Sequence, residues 1–400
     1  MLTDVSKLIY VLRPDGELNI SHYFGALNEL RELQYNHQTI LFIADLQQLH
    51  TNPLAKINYP ERIENIVNDC FLCGIDPSQT IICIESQIVE LAEVQQLISA
   101  ITPLGWLERV PNYKEIIGDL DHTELSTYGL LGLPLVYSTA LLGFNVSHVL
   151  ESNNYISYVE LSREIARRFN YLFGRENGFE EKAYQSINKL GERKSDLYLK
   201  LLTKFQQDGD EEAEEQAKFL LEDAHNLTFG DRNRLIAFLE NKSRVYLDEP
   251  QIVAIENKTI GTDGKVMQNL SNNTITLHET NESLQPKLRQ MPSDPARIRR
   301  TDSGNPDLCS VWQLHKLYTS SLDLALISPA CKSANIGCQE CKQILEQNIL
   351  LKQSQLHQKY SEICEDSISI KKIINENCET ARELVSNLLT SLKEAVQLNY

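Results

Sequence analysis

Three short apolar runs, each ending on polar residues and each followed by a stretch with helical spacing, limit what this chain can fold into. Residues 8–12 are apolar and lead to Arg13, residues 40–44 lead to Asp45, and residues 80–85 lead to Ser86-Gln87. Pro14-Asp15-Gly16 reads as a turn, and residues 23–33 and 63–73 carry apolar side chains at helical spacing. Short strands alternating with helices predict a doubly wound parallel sheet. Ligands of such sheets bind beyond the carboxyl ends of the strands. Arg13, Asp45 and Gln87 are therefore candidate site residues.

The chain has 400 residues, enough for two or three domains, and its 42% hydrophobic content is ordinary for a soluble protein. No apolar run approaches the roughly 20 residues that span a bilayer. Residues 1–10 lack the basic start and apolar stretch of a secretion signal. These features predict a cytoplasmic protein with no membrane partner. The formal net charge of −17 argues against binding nucleic acid by overall charge, and no DNA partner is expected. A local basic face remains compatible with it: Arg297, Arg299 and Arg300 cluster with Lys287 and Arg289 just upstream. That stretch reads either as a phosphate contact or as charges paired with Asp294 and Asp302.

Residues 175–247 change character. Gly191 opens a charged helical stretch, and the acidic run of residues 208–212 precedes Glu214, Glu215 and Lys218 at helical spacing. Two or three solvated helices inserted into the sheet domain are expected. From residue 295 onward the sequence is mostly helical, which predicts a separate helical domain. The resulting division is 1–174, a sheet domain, 175–247, a helical insertion, 248–292, the remainder of the sheet domain, and 293–400, a helical domain. Nine cysteines include Cys309, Cys331, Cys338 and Cys341, spaced Cys-x21-Cys-x6-Cys-x2-Cys. Four thiolates with a close terminal pair suit a tetrahedral zinc or an iron–sulfur cluster, and four unliganded thiols are the plainer alternative. Cys70, Cys73 and Cys83 fall in apolar elements and read as core.

Five stretches in order resemble the tryptophanyl-tRNA synthetase family, a class I aminoacyl-tRNA synthetase group. They are residues 13–18 (RPDGEL), 102–109 (TPLGWLER), 164–170 (EIARRFN), 294–302 (DPARIRRTD) and 334–338 (ANIGC). The inserted helices are similar to an insertion in one bacterial branch. The resemblance implies a Rossmann-like nucleotide-binding sheet, a helical anticodon-binding domain, a homodimer, tRNA as a partner, and tryptophan activation with ATP and Mg²⁺. It also favours a [4Fe–4S] cluster over zinc on the four cysteines, and it puts the basic linker close to tRNA.

The reactive positions depart from the family pattern. The His-x-Gly-His signature is matched by Asn19-Ile20-Ser21-His22, where Ser21 replaces the glycine that lets adenine approach. The same residues could simply start a helix with a serine near its cap. The Lys-Met-Ser-Lys-Ser loop is matched by residues 266–270, with Val266 and Asn269 in the lysine positions and Lys265 one place early. The aspartate that accepts the indole N–H is matched by Ala140, and a Gly-Glu-Asp-Gln stretch by Ser152, Asn153, Asn154 and Tyr155. Tyr158 and Gln47 stand where the family has histidines. One or more of the rings of Tyr137, Tyr155 and Tyr158 are expected to point inward and fill the vacated space, with Asn153, Asn154 or Ser138 as hydroxyl partners, the plainer alternative being rings that simply pack in the core or reach solvent. The reading that follows is a pseudo-synthetase that binds tRNA or a protein partner. An active tryptophan–tRNA ligase, and a synthetase-like enzyme with another acyl-adenylate substrate, are the alternatives.

Overall fold

The computed structural model describes residues 6–51, 56–110, 127–151, 155–173, 178–240, 246–254, 259–269, 272–360 and 367–398. Five strands form one sheet: β1 (Lys7–Leu12), β2 (Gln38–Ile43), β3 (Thr80–Ile84), β4 (His148–Glu151) and β5 (Gln251–Ala254), in the order β3-β2-β1-β4-β5. All four pairings are parallel, with Ile9 beside Ile40 and Ile40 beside Ile81. Leu8, Ile9, Ile40, Leu41, Phe42, Ile43, Ile82 and Cys83 are buried. Side chains from both faces of the pleat are hidden, as in a sheet covered by helices on each side. The doubly wound α/β fold expected from the sequence is what the chain adopts. The order reverses between β1 and β4, so the crevice beyond their carboxyl ends is the topological place for a ligand.

Helix Tyr128–Gly143 closes that crevice from one side. Its residues 132–143 are all buried. A helix apolar all round has no solvated face and belongs in a core. Helix Ile156–Leu172 packs beside it, starting at Tyr155.

Among its described residues the insertion holds four helices, where two or three were expected: Phe179–Lys189, Glu192–Asp208, Glu211–Glu222 and Phe229–Leu239. The acidic run is a helix junction. Gly209 takes a left-handed φ of 68° to end one helix, and the Asp210 carboxylate accepts from Glu212 N and Ala213 N to cap the next. Glu211 and Glu212 then lie in the first turn, where the helix dipole favours acids. Beneath the charged exterior the four helices bury their own cluster around Tyr198, whose hydroxyl donates to Leu235 O at 2.6 Å. The insertion is therefore more than a solvated appendage.

The later helices are Ser310–Tyr318, Ser321–Lys332, Cys338–Tyr360 and Ser367–Ala395. The last lies against β3: Ile84 N–H donates to Cys378 Sγ at 3.4 Å, and Arg382 grips Glu90 at 2.8 Å. Leu345, Ile374, Cys378 and Val385 belong to the same continuous cluster as the sheet. The helical region after residue 293 thus shares its core with the sheet. Among the described residues, no helix is long and apolar enough to cross a membrane.

Candidate functional site

The crevice beyond β1 and β4 is filled by the chain's own rings. Tyr137, Tyr155 and Tyr158 form a triangle with centroids 5.6, 5.5 and 5.3 Å apart. Tyr137 and Tyr158 are each 2% exposed. The Arg13 guanidinium, just past β1, lies 4.8 Å over the Tyr155 ring. The void left among Val11, Arg13, Gln47, Leu133 and the three rings is about 10 Å³, no more than one water molecule needs.

The polar groups around this plug satisfy one another. Tyr137 donates to Glu151 Oε2 at 3.1 Å, so the partner is the β4 carboxylate and not Ser138. Ser138 instead donates to Pro134 O and accepts from Ser162. Burial, and then the neighbouring Glu151, push the Tyr137 hydroxyl far above the ordinary phenol range. Glu85 lies buried at the end of β3, where it accepts from Gln47 N at 3.0 Å and Gln47 Nε2 at 3.3 Å. Burial pushes its pKa up to about 7 against those donors. Asp45 accepts from Ser86 N and Ser86 Oγ, tying the ends of β2 and β3 together. Gln87 is exposed on the following turn, and Ala140 is fully buried in the central helix. Asn153 and Asn154 lie outside the described residues.

Asn19 is the helix cap, with Ser21 in the first turn beside it. Its side chain accepts from Ser21 N, while Asn19 N–H donates to His22 Nδ1 at 3.2 Å, completing a capping box. Burial lowers the His22 pKa, with Asp15 opposing. Asn19 Nδ2 also donates to Asn269 Oδ1 at 2.9 Å, and Asn269 Nδ2 donates to Asp15 Oδ1 at 2.8 Å. Backbone bonds from Ile20 N to Ile275 O and from Leu277 N to Leu18 O zip the same two segments. Gly16 permits this approach, since a Cβ there would meet the Asn269 side chain at 2.6 Å. Ser21 is half-buried at the first turn, and Lys265 is exposed, its backbone N–H held by Asp263.

Cys309, Cys331, Cys338 and Cys341 are half-buried free thiols. Burial first, then the charges of the other three, push the Cys341 thiol up to about 12. Cys341 Sγ lies 3.3 Å from His315 Nε2, and Arg297 Nη1 donates toward Cys331 Sγ at 3.8 Å. Thiols are suitable donor types for a thiolate-ligated centre. Among the described residues, however, no three His, Cys, Asp or Glu side chains are placed together to hold a metal ion. Arg297 also donates to Arg300 O and Ile336 O, so it ties the basic linker to the cysteine-bearing turn. Neither Asp294 nor Asp302 forms the anticipated ion pair with it. Asp294 accepts from backbone N–H groups of Ala296 and Asn305, and Asp302 from that of Arg299. Arg299 and Arg300 are exposed, the latter 4.0 Å from Glu340.

The model of the family described as tRNA synthetases class I (W and Y) matches residues 5–222. A tryptophan–tRNA ligase of Ralstonia nicotianae is 40% identical over 98% of this chain and 99% of its own. That of Thermotoga maritima is 28% identical over 98% and 100%. The chain belongs to the tryptophanyl-tRNA synthetase family. A Campylobacter jejuni tryptophanyl-tRNA synthetase solved with ADP and tryptophan has the same fold, with a TM-score of 0.68 at 19% identity, covering 98% of this chain and 99% of that one.

Within this synthetase frame the structure brings together Arg13, Gln47, Tyr137, Tyr155 and Tyr158 around one void, and Asn19 with Asn269 across another contact. It separates Lys265, Arg299 and Arg300, which face solvent. Two acids that the sequence reading does not single out also belong here, Glu85 and Glu151, each at or just past the end of a strand, which is the signal that could have found them; Asp15, in the expected turn, adds the bond to Asn269.

Proposed function

We propose that this member of the synthetase family is a pseudo-synthetase that keeps the fold as a binding platform for tRNA or a protein partner. The observation that carries the reading is the tyrosine-filled crevice, whose rings pack on one another and on the Glu151 carboxylate and leave a void of about 10 Å³. An activation site must hold amino acid and nucleotide side by side and stabilise charge on the departing pyrophosphate. Here the space is taken, Ala140 offers an indole N–H no acceptor, and Val266 and Asn269 bring no charge. Losing one preorganised charge typically costs about 3 kcal/mol of transition-state stabilisation.

The second reading is an active tryptophan–tRNA ligase, and the comparisons taken alone favour it. The Ralstonia protein, which carries that activity in its name, is 40% identical end to end. Family likeness is spread along the whole chain, whereas function resides in sites, and the site geometry favours the first reading. A synthetase-like enzyme with another acyl-adenylate substrate would need a phosphate clamp. Its candidates are Arg13, stacked on Tyr155, His22, inside the capping box, and exposed Lys265. ATP and Mg²⁺ belong to the ligase readings only.

The same proposal includes a cytoplasmic homodimer and the four-part division at residues 174, 247 and 292. It places Arg299 and Arg300 toward tRNA phosphates, and a [4Fe–4S] cluster, or else zinc, on Cys309, Cys331, Cys338 and Cys341. The thiol spacing and the Arg297 N–H aimed at Cys331 support the cluster. Titration calorimetry of the full chain tests the reading, with tryptophan, ATP and tRNA in turn. Binding of tRNA with no heat from tryptophan or ATP is expected for a tRNA-binding platform. Tight binding of both small ligands would overturn it.

A further inference from the structure

Two imidazoles from distant parts of the chain meet where helix Cys338–Tyr360 packs near helix Tyr59–Leu72. His357 lies on the first of these helices, and His278 lies in the segment that leads into helix Asn281–Gln290. Their ring centroids are 4.9 Å apart, with the planes tilted by 40°. Each ring commits one nitrogen to a hydrogen bond that fixes it. His278 Nε2 donates to Oδ1 of Asp69, a buried acid on helix Tyr59–Leu72. His357 Nε2 donates to Leu277 O at 3.2 Å, and Gln353, one turn earlier, donates to Thr276 O at 2.8 Å. An ionised carboxylate and a carbonyl can only accept, so both Nε2 atoms carry the hydrogen and both neutral rings keep a lone pair on Nδ1. Among the described residues no bond takes up either Nδ1. Both rings are half-buried and reach solvent.

Imidazoles that ligate a metal commonly use their second nitrogen in this way, donating it to a carboxylate or a backbone carbonyl, which sets the tautomer and holds the ring. The spacing also suits a shared ion. With metal–nitrogen bonds of about 2.0–2.1 Å, centroids 4.9 Å apart correspond to an angle of about 100° at the metal, close to the tetrahedral value. Among the described residues no three His, Cys, Asp or Glu side chains are placed together to hold a metal ion, so this site is a pair of ligands completed by water. Glu17 is exposed and near enough for its charge to act on His278, which makes it a carboxylate able to swing in. We propose that His278 and His357 chelate a divalent transition-metal ion of the class that suits imidazole, zinc above all, through their Nδ1 atoms. The ion staples residues 276–280 to helix Cys338–Tyr360. This goes beyond the pseudo-synthetase reading, does not depend on it, and is separate from the four cysteines.

The test is equilibrium dialysis of the full chain against zinc chloride at about pH 7.5, with bound metal counted by mass spectrometry. Two fixed nitrogen ligands should give a Kd on the order of 10 μM. His278→Gln and His357→Gln each remove a ligand and should weaken this zinc by about tenfold or more, and Asp69→Asn, which removes the carboxylate behind His278, by about tenfold. Zinc must also compete with protons for Nδ1, the more so at His278, whose pKa the Asp69 bond raises. Binding at about pH 5.5 should therefore be weaker by about tenfold or more. Circular dichroism checks that each variant is folded; the half-buried His357→Gln carries the test should Asp69→Asn unfold. Cys338→Ser should leave this ion bound. Equal zinc counts in wild type and both histidine variants, at about ten times the expected Kd, would overturn the proposal. So would zinc that is kept by the histidine variants and lost on Cys338→Ser, which would put the metal on the thiols alone.

Discussion

Replacing Tyr137 by Ala would reopen the filled crevice, and its cost can be worked out. Tyr137 is 2% exposed, touches two other rings, and donates to the buried Glu151 carboxylate. Truncating a buried aromatic side chain to alanine costs about 3–5 kcal/mol, and a buried carboxylate that loses a donor adds to the upper end of that range. Unfolding entropy of about 2.1 cal/mol/K per residue over 400 residues gives roughly 0.8 kcal/mol per degree, so the apparent Tm should fall by about 5 °C. The variant then has an indole-sized hole in an apolar wall. Free indole at ten times its Kd should return RT ln 11, about 1.4 kcal/mol or almost 2 °C. Differential scanning fluorimetry with and without indole measures both effects. The reasoning fails if wild type gains as much from indole or tryptophan as the variant does, because its crevice would then be open. It fails equally if Tyr137→Ala costs under about 1 kcal/mol.

Three further outcomes follow from the structure. Asn269→Ala removes the bridge from Asn19 to Asp15 and should cost about 1–2 kcal/mol in urea denaturation, whereas Lys265→Ala, on an exposed residue, should stay within about 0.5 kcal/mol. The bond to Asp69 raises the His278 pKa above the usual 6.5, with burial opposing it. A raised folded value means the stabilisation is complete below the ordinary imidazole pKa and is lost as pH rises through the folded one. With His278 about half exposed, the gap between wild type and His278→Gln should be under about 1 kcal/mol at pH 5.5 and shrink by pH 9; a gap that widens with pH would reverse the assignment. Anaerobically purified protein should be brown with bound iron and sulfide, and Cys338→Ser should lose the colour. One zinc per chain would replace the cluster by a structural zinc site, and absence of both would leave four thiols.

Much of the fold was legible because apolar runs and strand ends are local features. β1, β2 and β3 are five or six residues each and mostly buried, so their hydrophobic runs stand out. β4 and β5 are four residues each, too short for period or run length to mark them. The insertion's helix count was hidden in its charge: Asp210 caps a helix, but in sequence it reads as part of a solvated acidic run. The inward turn of the tyrosines was anticipated from residues that had lost their polar counterparts. Their partner was not, because Tyr137 meets Glu151 only once the central helix lies across β4. The Asn19–Asn269 contact joins positions 250 residues apart, which no periodicity reports.

The central claim is that this synthetase fold no longer activates tryptophan. Tryptophan-dependent exchange of pyrophosphate into ATP, run on the purified full chain beside an active relative, tests it most directly. The filled crevice and the missing lysine charges predict exchange lower by a factor of about a thousand or more, since each lost charge costs about a hundredfold. Exchange within about tenfold of the relative would contradict the account and make this chain a tryptophan–tRNA ligase working through a different set of residues.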